Sequence, residues 1–470
     1  MVLRYNKGGI DMPVKFGTDG WRDIIGFDYN AENLVRVTLG VAEYFRSINR
    51  GKSVLIGYDN RFMSEDFAQV VAKTFYKQGY EVNVFERPVP TPLLAWVVKH
   101  KGYDLGIMLT ASHNPYYYHG YKVIPWHGSP AEKEITDGIW SFIDLNAPVN
   151  VDFPYEKEFL IPVEDEYLRS IKSFVGDIDM EGRIVYSAMH GVGSGFTDRI
   201  LKSYGLHVST IRSGRDPMFG GIIPEPKPQY LSDLAQMVKG FGDVGLANDG
   251  DADRFGLVDE NGNVVNNNWF LAVIAWYLYE IKHMKGNIGR TVATTHMLDS
   301  IAEFYGFKCI ETPVGFKWLG KEMREGNIFY GGEESGGLGI AEHVPEKDGV
   351  IADVMFVHAL SMFDGSVSEF ISFLQNKFGP YVYERKDYHL TESQRQYVKE
   401  IIEGNDVPTW LGNVTKVIRK DGLKVLWDDD SWLLIRLSGT EPVVRVYVEG
   451  REKSRVSYIH DVVYKHVMEK

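Results

Sequence analysis

Apolar positions along the chain come in short blocks, separated by polar stretches punctuated with glycine. Leu105-Gly-Ile-Met-Leu109 is a continuous apolar run. It predicts a buried strand that stops at Thr110, where Asn114-Pro115 forces a turn. Phe75-Tyr-Lys-Gln-Gly-Tyr-Glu-Val-Asn-Val-Phe85 has the pattern of a helix end, a glycine stop and a short strand. The pattern returns at Leu201-Lys-Ser-Tyr-Gly-Leu-His-Val-Ser-Thr-Ile211 and at Ala302-Glu-Phe-Tyr-Gly-Phe-Lys-Cys-Ile310. Each is preceded by another strand-like run: Ser53-Val-Leu-Ile56, Arg183-Ile-Val-Tyr186 and Arg290-Thr-Val-Ala293. Strand, helix and strand at this spacing predict a βαβ unit, and three such units predict three α/β domains on one plan.

The last stretch has a different texture. Thr391 and Gln394 form a capping-box pattern, and Tyr397, Val398, Ile401 and Ile402 give the helix it opens an apolar face. Strand-like runs follow at Leu423-Lys-Val-Leu-Trp427, Ser431-Trp-Leu-Leu-Ile-Arg436 and Val443-Val-Arg-Val-Tyr-Val448, then a closing helix from about Ser454. Strands between two helices, without parallel crossovers, predict a small α+β domain. Boundaries are expected at the linker Ala147-Pro-Val-Asn-Val-Asp-Phe-Pro154, the turn Asp259-Glu-Asn-Gly262 and Phe378-Gly-Pro380. They divide the chain into 1–152, 153–260, 261–378 and 379–470.

Bulk composition narrows the function. A chain of 470 residues, 44% apolar and 24% charged, fits an ordinary globular protein of several domains. A formal charge of -13 argues against general nucleic-acid or anionic-membrane binding, yet leaves room for a local cluster of Arg and Lys around a phosphate. The single cysteine, Cys309, rules out an intramolecular disulfide framework and fits a reducing cytoplasm. Its apolar setting marks it as a buried strand residue rather than a nucleophile. The N-terminus lacks the apolar core of a signal peptide, and no run approaches the ~18 apolar residues of a membrane span. Met12 is an alternative start, which would make the first eleven residues an extension.

Four strings carry chemistry. Thr110-Ala-Ser-His-Asn-Pro115 puts Ser112 just beyond a strand end, with its hydroxyl expected to be exposed, where ligands bind in open α/β sheets. A plain capping turn would use the same residues. Asn248-Asp-Gly-Asp-Ala-Asp-Arg254 brings three carboxylates to i, i+2 and i+4. An EF-hand loop is excluded, since Arg254 stands where the turn needs glycine and the flanks read as strands. Three carboxylates without a full protein cage favour Mg²⁺ shared with a phosphate oxygen. Gly331-Gly-Glu-Glu-Ser-Gly-Gly-Leu-Gly339 is expected to be a loop presenting Glu333, Glu334 and Ser335, acceptors suited to sugar hydroxyls. It has neither G-x-G-x-x-G nor a Walker lysine. Arg436-Leu-Ser-Gly-Thr-Glu-Pro442, followed by Arg445, offers a backbone nest, two hydroxyls and two guanidinium groups for an anion. Two further cations, Arg22 in Phe16-Gly-Thr-Asp-Gly-Trp-Arg22 and Lys122 in Gly120-Tyr-Lys-Val-Ile124, can stabilise charge at a phosphorylated Ser112.

Together the four strings resemble the α-D-phosphohexomutase family, in its order and one per domain. Phe16-Gly-Thr-Asp-Gly20, Pro90-Thr-Pro92 and Thr312-Pro-Val-Gly-Phe-Lys317 are similar to further family signatures, and the likeness runs from about Phe16 to the C-terminus. The resemblance implies a heart-shaped enzyme of three similar α/β domains and a C-terminal α+β domain around a central cleft. It implies that phosphorylated Ser112 converts a hexose 1-phosphate into a 1,6-bisphosphate, which turns over and returns its other phosphate. Asp249, Asp251 and Asp253, with the phosphate on Ser112, would hold Mg²⁺. Glu333 and Ser335 would bind the sugar. Arg436, Ser438, Gly439, Thr440 and Arg445 would hold the phosphate that is not reacting, with Arg22 and Lys122 near the transferring group. His113, Arg254 and Lys317 lie within these motifs and count as further active-site candidates.

The family's pattern is not followed everywhere. Many bacterial phosphomannomutases and phosphoglucosamine mutases carry a histidine where this chain has Gly337. His343, in Glu342-His-Val-Pro-Glu-Lys-Asp-Gly349, resembles a histidine in a longer loop of some phosphoglucomutases. The expectation is a cytoplasmic mutase of small-molecule sugar phosphates, a monomer or homodimer, preferring glucose phosphates and primed by glucose 1,6-bisphosphate. Phosphomannomutase, dual-specificity or phosphoglucosamine mutase activity is the alternative. His343, Lys122 and His113 all stand as candidates for the general acid/base. Two rivals are disfavoured: a phosphoserine-dependent phosphatase by the distal clamp, which hydrolysis does not need, and a non-catalytic sugar-phosphate or calcium-binding protein by the retention of serine, metal loop and clamp together.

Overall fold

Apolar strand runs and the amphipathic helices between them sort the chain into four sheets, each with its own helices. The computed structural model describes residues 14, 16–17, 20–152, 156–438 and 443–469. The first sheet has seven strands in the order Phe16–Gly17, Gly20–Ile24, Tyr118–Pro125, Leu105–Leu109, Ser53–Tyr58, Glu81–Phe85 and Leu160–Ile161. The second runs Val264–Val265, Phe255–Val258, Val244–Asn248, Arg183–Ser187, His207–Ile211, and the third Cys309–Thr312, Ile288–Thr291, Tyr330–Glu333, Gly337–Ile340. The fourth is wholly antiparallel, Val382–His389, Val443–Gly450, Trp432–Leu437, Leu423–Leu426, Lys416–Ile418, and is flanked by the helices Glu392–Glu403 and Lys453–Val467. Three α/β units followed by a small α+β unit is the architecture the apolar blocks predict.

The first three units share one plan. Parallel strands joined by helices lead to a strand that turns back on itself: Leu105–Leu109 pairs antiparallel with Tyr118–Pro125, Val244–Asn248 with Phe255–Val258, and Tyr330–Glu333 with Gly337–Ile340. The turns of these three hairpins are the segments around Ser112, around Asp249 to Asp253, and around Glu334. In the fourth unit Trp432–Leu437 and Val443–Gly450 form the corresponding antiparallel pair. The first three chemistry-bearing strings therefore occupy an equivalent place, at the end of a strand, where the backbone leaves the ladder.

Details differ from the sequence expectations where tertiary pairing decides. Leu160–Ile161 and Val264–Val265 complete the first and second sheets, past the boundaries expected at 152 and 260, because short edge strands add to a ladder wherever a partner backbone is open. The third sheet's first strand is Ile288–Thr291 rather than 290–293. Val382–His389, mostly half-buried, and Lys416–Ile418, mostly exposed, carry too little apolar signal to be read as strands. The capping box at Thr391 and Gln394 forms as expected. Cys309 opens a strand, and burial pushes its thiol pKa up, away from nucleophilic reactivity.

One apolar core runs from the back of the first sheet through the second and third units, and the helix Gly349–Phe363, buried over most of its length, lies within it. The third and fourth units meet on Val292, Ala293, Trp432, Leu434 and Tyr447. Among the described residues no single helix is long and apolar enough to cross a membrane.

Candidate active site

The first hairpin turn is held by its own threonine. The Thr110 hydroxyl accepts from the Ser112 N–H at 2.8 Å and donates to Asp59 Oδ2 at 2.6 Å. Ser112 takes φ +49°, a left-handed conformation uncommon for serine. It is fully buried, which corrects the expectation of an exposed hydroxyl. The reason is the neighbouring domain: Ser112 Oγ donates to Asp249 Oδ2 at 2.7 Å and lies 3.2 Å from His113 Nδ1. A β-carbon on Gly250 would stand 2.6 Å from the Ser112 carbonyl oxygen, so the two loops are in backbone contact.

The second turn gathers Asp249, Asp251 and Asp253, all buried, with one carboxylate oxygen of each inside a 4.8 Å cluster. Asp251 Oδ2 accepts from Thr91 Oγ1 at 2.6 Å and from Lys122 Nζ at 2.9 Å. Asp253 Oδ2 accepts from Lys122 Nζ and lies beside Lys347 Nζ, both at 3.0 Å. Asp251 Oδ1 and Asp253 Oδ1 are buried without a hydrogen-bond partner. Such oxygens are costly unless something electropositive meets them. A hard divalent cation bound through oxygen answers that cost, so the donor set fits Mg²⁺. Burial, with the charges of Asp251 and Asp253 beside it, raises the Asp249 pKa. Burial alone would raise Asp253 too, but the ammonium groups of Lys122 and Lys347 hold it well below the usual carboxylate range.

The third string is not the loop its glycine content suggested. Tyr330–Glu333 and Gly337–Ile340 are paired strands, leaving residues 334–336 as the turn. Its glycines serve close packing: a β-carbon would come within 2.5 Å of Leu271 at Gly332, 2.6 Å of Lys347 at Gly337 and 2.5 Å of the Glu346 carbonyl at Gly339. Glu333 ends its strand buried, accepting from the Gly315 N–H at 2.9 Å, and burial raises its pKa to about 7. Lys317 lies in the first turn of the helix Phe316–Arg324, just after that glycine. Ser335 is in the turn itself, half-buried.

In the fourth unit Arg436 and Arg445 are direct cross-strand partners. Like charges in that position repel, and the cost falls when anions lie between or beside them. Arg436 Nε donates to Asp421 Oδ2 at 2.9 Å, and Arg445 Nε lies 3.9 Å from Asp387 Oδ2. The Ser438 N–H closes the hairpin on the Val443 carbonyl at 3.0 Å. Gly439 and Thr440 lie outside the described residues.

The remaining candidates separate into two groups. Arg22 Nη1 donates to Asn114 Oδ1 at 2.8 Å, and Arg254, last residue of the aspartate turn, pairs with Glu225 at 3.2 Å. Burial, with Arg254 and Arg22 nearby, pushes the His113 pKa well below its ordinary value. His343 behaves differently. It is buried with Nε2 3.0 Å from Asp348 Oδ2, and Asp348 in turn caps the helix Gly349–Phe363. The ring is bound to a helix cap, and Lys347, four residues on, is the residue of this loop that reaches the aspartates. Sequence reasoning passed over Lys347, Thr91 and the pair Asp59 and Arg61 beneath the serine loop. Only the Pro90-Thr-Pro92 signature gave a hint of one of them.

Similarity to known proteins agrees with this geometry. Residues 13–148, 165–262 and 266–378 match the models of alpha/beta/alpha domains I, II and III of phosphoglucomutase/phosphomannomutase, and 389–466 match that family's C-terminal domain. A probable phosphoglucosamine mutase of Methanosphaera stadtmanae is 29% identical over 466 residues, covering 96% of this chain and 97% of the relative. A phosphoglucomutase/phosphomannomutase of Thermococcus kodakarensis is 29% identical over 450 residues, covering 94% and 95%. The crystal structure of a putative phosphomannomutase from Thermus thermophilus superimposes with a TM-score of 0.84 at 30% identity, covering 97% of this chain and 99% of that one. With all four domain models matched in order and the fold shared from end to end, the chain belongs to the phosphoglucomutase/phosphomannomutase family of phosphohexomutases, enzymes that move a phosphoryl group within a sugar phosphate.

Proposed function

We propose that the protein interconverts hexose 1-phosphate and hexose 6-phosphate, glucose phosphates preferred, by way of phosphorylated Ser112 and a hexose 1,6-bisphosphate. The observation that carries the proposal is the Ser112 Oγ contact with Asp249, beside two buried aspartate oxygens that lack partners. A Mg²⁺ ion held by the three aspartates, with an oxygen of the Ser112 phosphate, would polarise the phosphoryl group. Lys122 and Lys347 offset the carboxylate charge, and Arg22 sits against the serine loop, so cations surround the transferring group. Glu333 and Ser335 take sugar hydroxyls. Arg436 and Arg445, with Ser438, Gly439 and Thr440, hold the phosphate that is not reacting. One distal clamp then serves both orientations of the bisphosphate. Gly337 in place of a histidine, and the longer loop around His343, support glucose. The names of relatives span glucosamine, glucose and mannose, and mannose phosphates are the second reading. The reaction is proposed for the cytoplasm, by a monomer or homodimer.

The test is a coupled assay with glucose, mannose and glucosamine 1-phosphates in parallel, with Mg²⁺ and a trace of glucose 1,6-bisphosphate, against Ser112→Ala. The expected outcome is the highest kcat/KM for glucose and no activity in the variant. A higher kcat/KM for another sugar overturns the substrate, and an active variant overturns the phosphoserine.

A further inference from the structure

We propose that Arg61 is a positioning residue for phosphoryl transfer, holding Ser112 in its left-handed conformation from beneath the loop. The proposal rests on Ser112 being the phosphorylated residue. Arg61 is completely buried, and all five of its guanidinium N–H groups have partners. Nε donates to Asp59 Oδ2 at 3.1 Å. Nη1 donates to the carbonyls of Pro115 at 2.8 Å and Tyr118 at 3.0 Å. Nη2 donates to the carbonyls of Ser112 at 2.6 Å and Asn114 at 2.7 Å. One side chain thus satisfies four carbonyls of a turn that has left the β-ladder. A buried backbone oxygen needs such a partner, and a planar fork can span four of them where a compact ammonium cannot.

The geometry goes beyond holding the loop together. The peptide before Ser112 is tied through its N–H to the Thr110 hydroxyl, which donates to Asp59. The peptide after Ser112 is tied through its carbonyl to Arg61, which is paired with the same Asp59. Fixing both flanking peptides fixes φ and ψ of Ser112, and with them the direction of the Cα–Cβ bond that carries Oγ to its hydrogen bond with Asp249. The same turn is fastened to the second domain: Asn60 Nδ2 donates to the His190 carbonyl at 2.8 Å, and the Phe219 ring covers the Arg61 guanidinium at 4.9 Å. One ion pair therefore sets both the conformation of the serine and its register against the aspartates across a domain boundary.

Arg61→Lys keeps the charge and loses the fork. Thr110→Val keeps Arg61 and cuts the tie to the Ser112 N–H. Each purified variant is incubated with glucose 1,6-bisphosphate, and intact mass gives the fraction of molecules that take up a phosphoryl group. Single-turnover transfer to glucose 1-phosphate is then measured per phosphorylated molecule, so loss of folded protein does not enter the rate constant. We expect the rate constant to fall about 100-fold in both variants, the order expected for a reacting atom misplaced by about 1 Å, with KM within about threefold of wild type. Wild-type rate constants in the variants, with Ser112 phosphorylated in the parent, overturn this inference alone. If Arg61→Lys does not fold, Thr110→Val decides by itself. A parent protein that takes up no phosphoryl group overturns the inference together with the reading it rests on.

Discussion

Gly250→Ala is the sharpest test of how the two loops meet. A β-carbon there would stand 2.6 Å from the Ser112 carbonyl oxygen, against 3.4 Å for an ordinary contact. The backbones must part by about 0.8 Å, and the carbonyl is not free to shift, since Arg61 Nη2 already holds it at 2.6 Å. Gly250 is not among the glycines with positive φ, so alanine is conformationally tolerable and the effect is one of contact. The Ser112 Oγ to Asp249 Oδ2 distance, 2.7 Å in the parent, would pass the limit of a hydrogen bond. A displacement near 1 Å at a reacting atom costs about 100-fold in rate, or about 2.7 kcal/mol of barrier. The assay is steady-state coupled turnover at saturating sugar phosphate, with circular dichroism to confirm folding. Gly240→Ala, on a helix with open space around the site of the new methyl, is the control and should be silent. A Gly250→Ala enzyme with kcat within threefold of the parent would refute the contact argument.

Other expectations follow from the same geometry. Added Mg²⁺ should raise Tm, by the equivalent of about 2.7 kcal/mol at a hundredfold excess over Kd, and Asp251→Asn should abolish the rise; an equal rise in the variant would place the ion elsewhere. Burial raises the Glu333 pKa from 4.5 to about 7, so the folded form keeps a proton that the unfolded chain releases between those values. Its stabilising share is complete below about pH 4.5, declines as pH rises through the window and is gone above about 7. Urea titrations at pH 5 and 7.5 should therefore differ less for Glu333→Gln than for the parent, by about 2.4 kcal/mol, and an unchanged difference would contradict the burial argument. Arg436→Ala should raise KM about tenfold or more for both glucose 1-phosphate and glucose 6-phosphate, because one clamp serves both; unchanged constants would remove Arg436 from that role.

Chain order and chemical type were legible without a structure. Apolar blocks marked most strands, a glycine marked the stop of each of the three repeated helices, and the three aspartates, the serine and the arginine string pointed to hard-cation and phosphate binding, which admit few side chains. What the sequence could not show is who meets whom. Ser112 looked exposed because only its own strand was in view; its burial comes from a turn 137 residues further on. The glycines of residues 331–339 read as loop because glycine is rare inside strands, yet Gly332, Gly337 and Gly339 are demanded by Leu271, Lys347 and the Glu346 carbonyl packed across them. His343 and Lys347 are four residues apart in one loop, and only the packing of the helix behind them decides that the histidine reaches the helix cap and the lysine reaches the aspartates. Arg61 pairs with Asp59 two residues earlier, but its other four acceptors are backbone carbonyls and any residue supplies a carbonyl. Local sequence determines which groups are present and where the chain turns. Long-range packing alone brings the serine turn, the aspartate turn and Lys347 to one place, and distances between them, rather than composition, decide which groups meet.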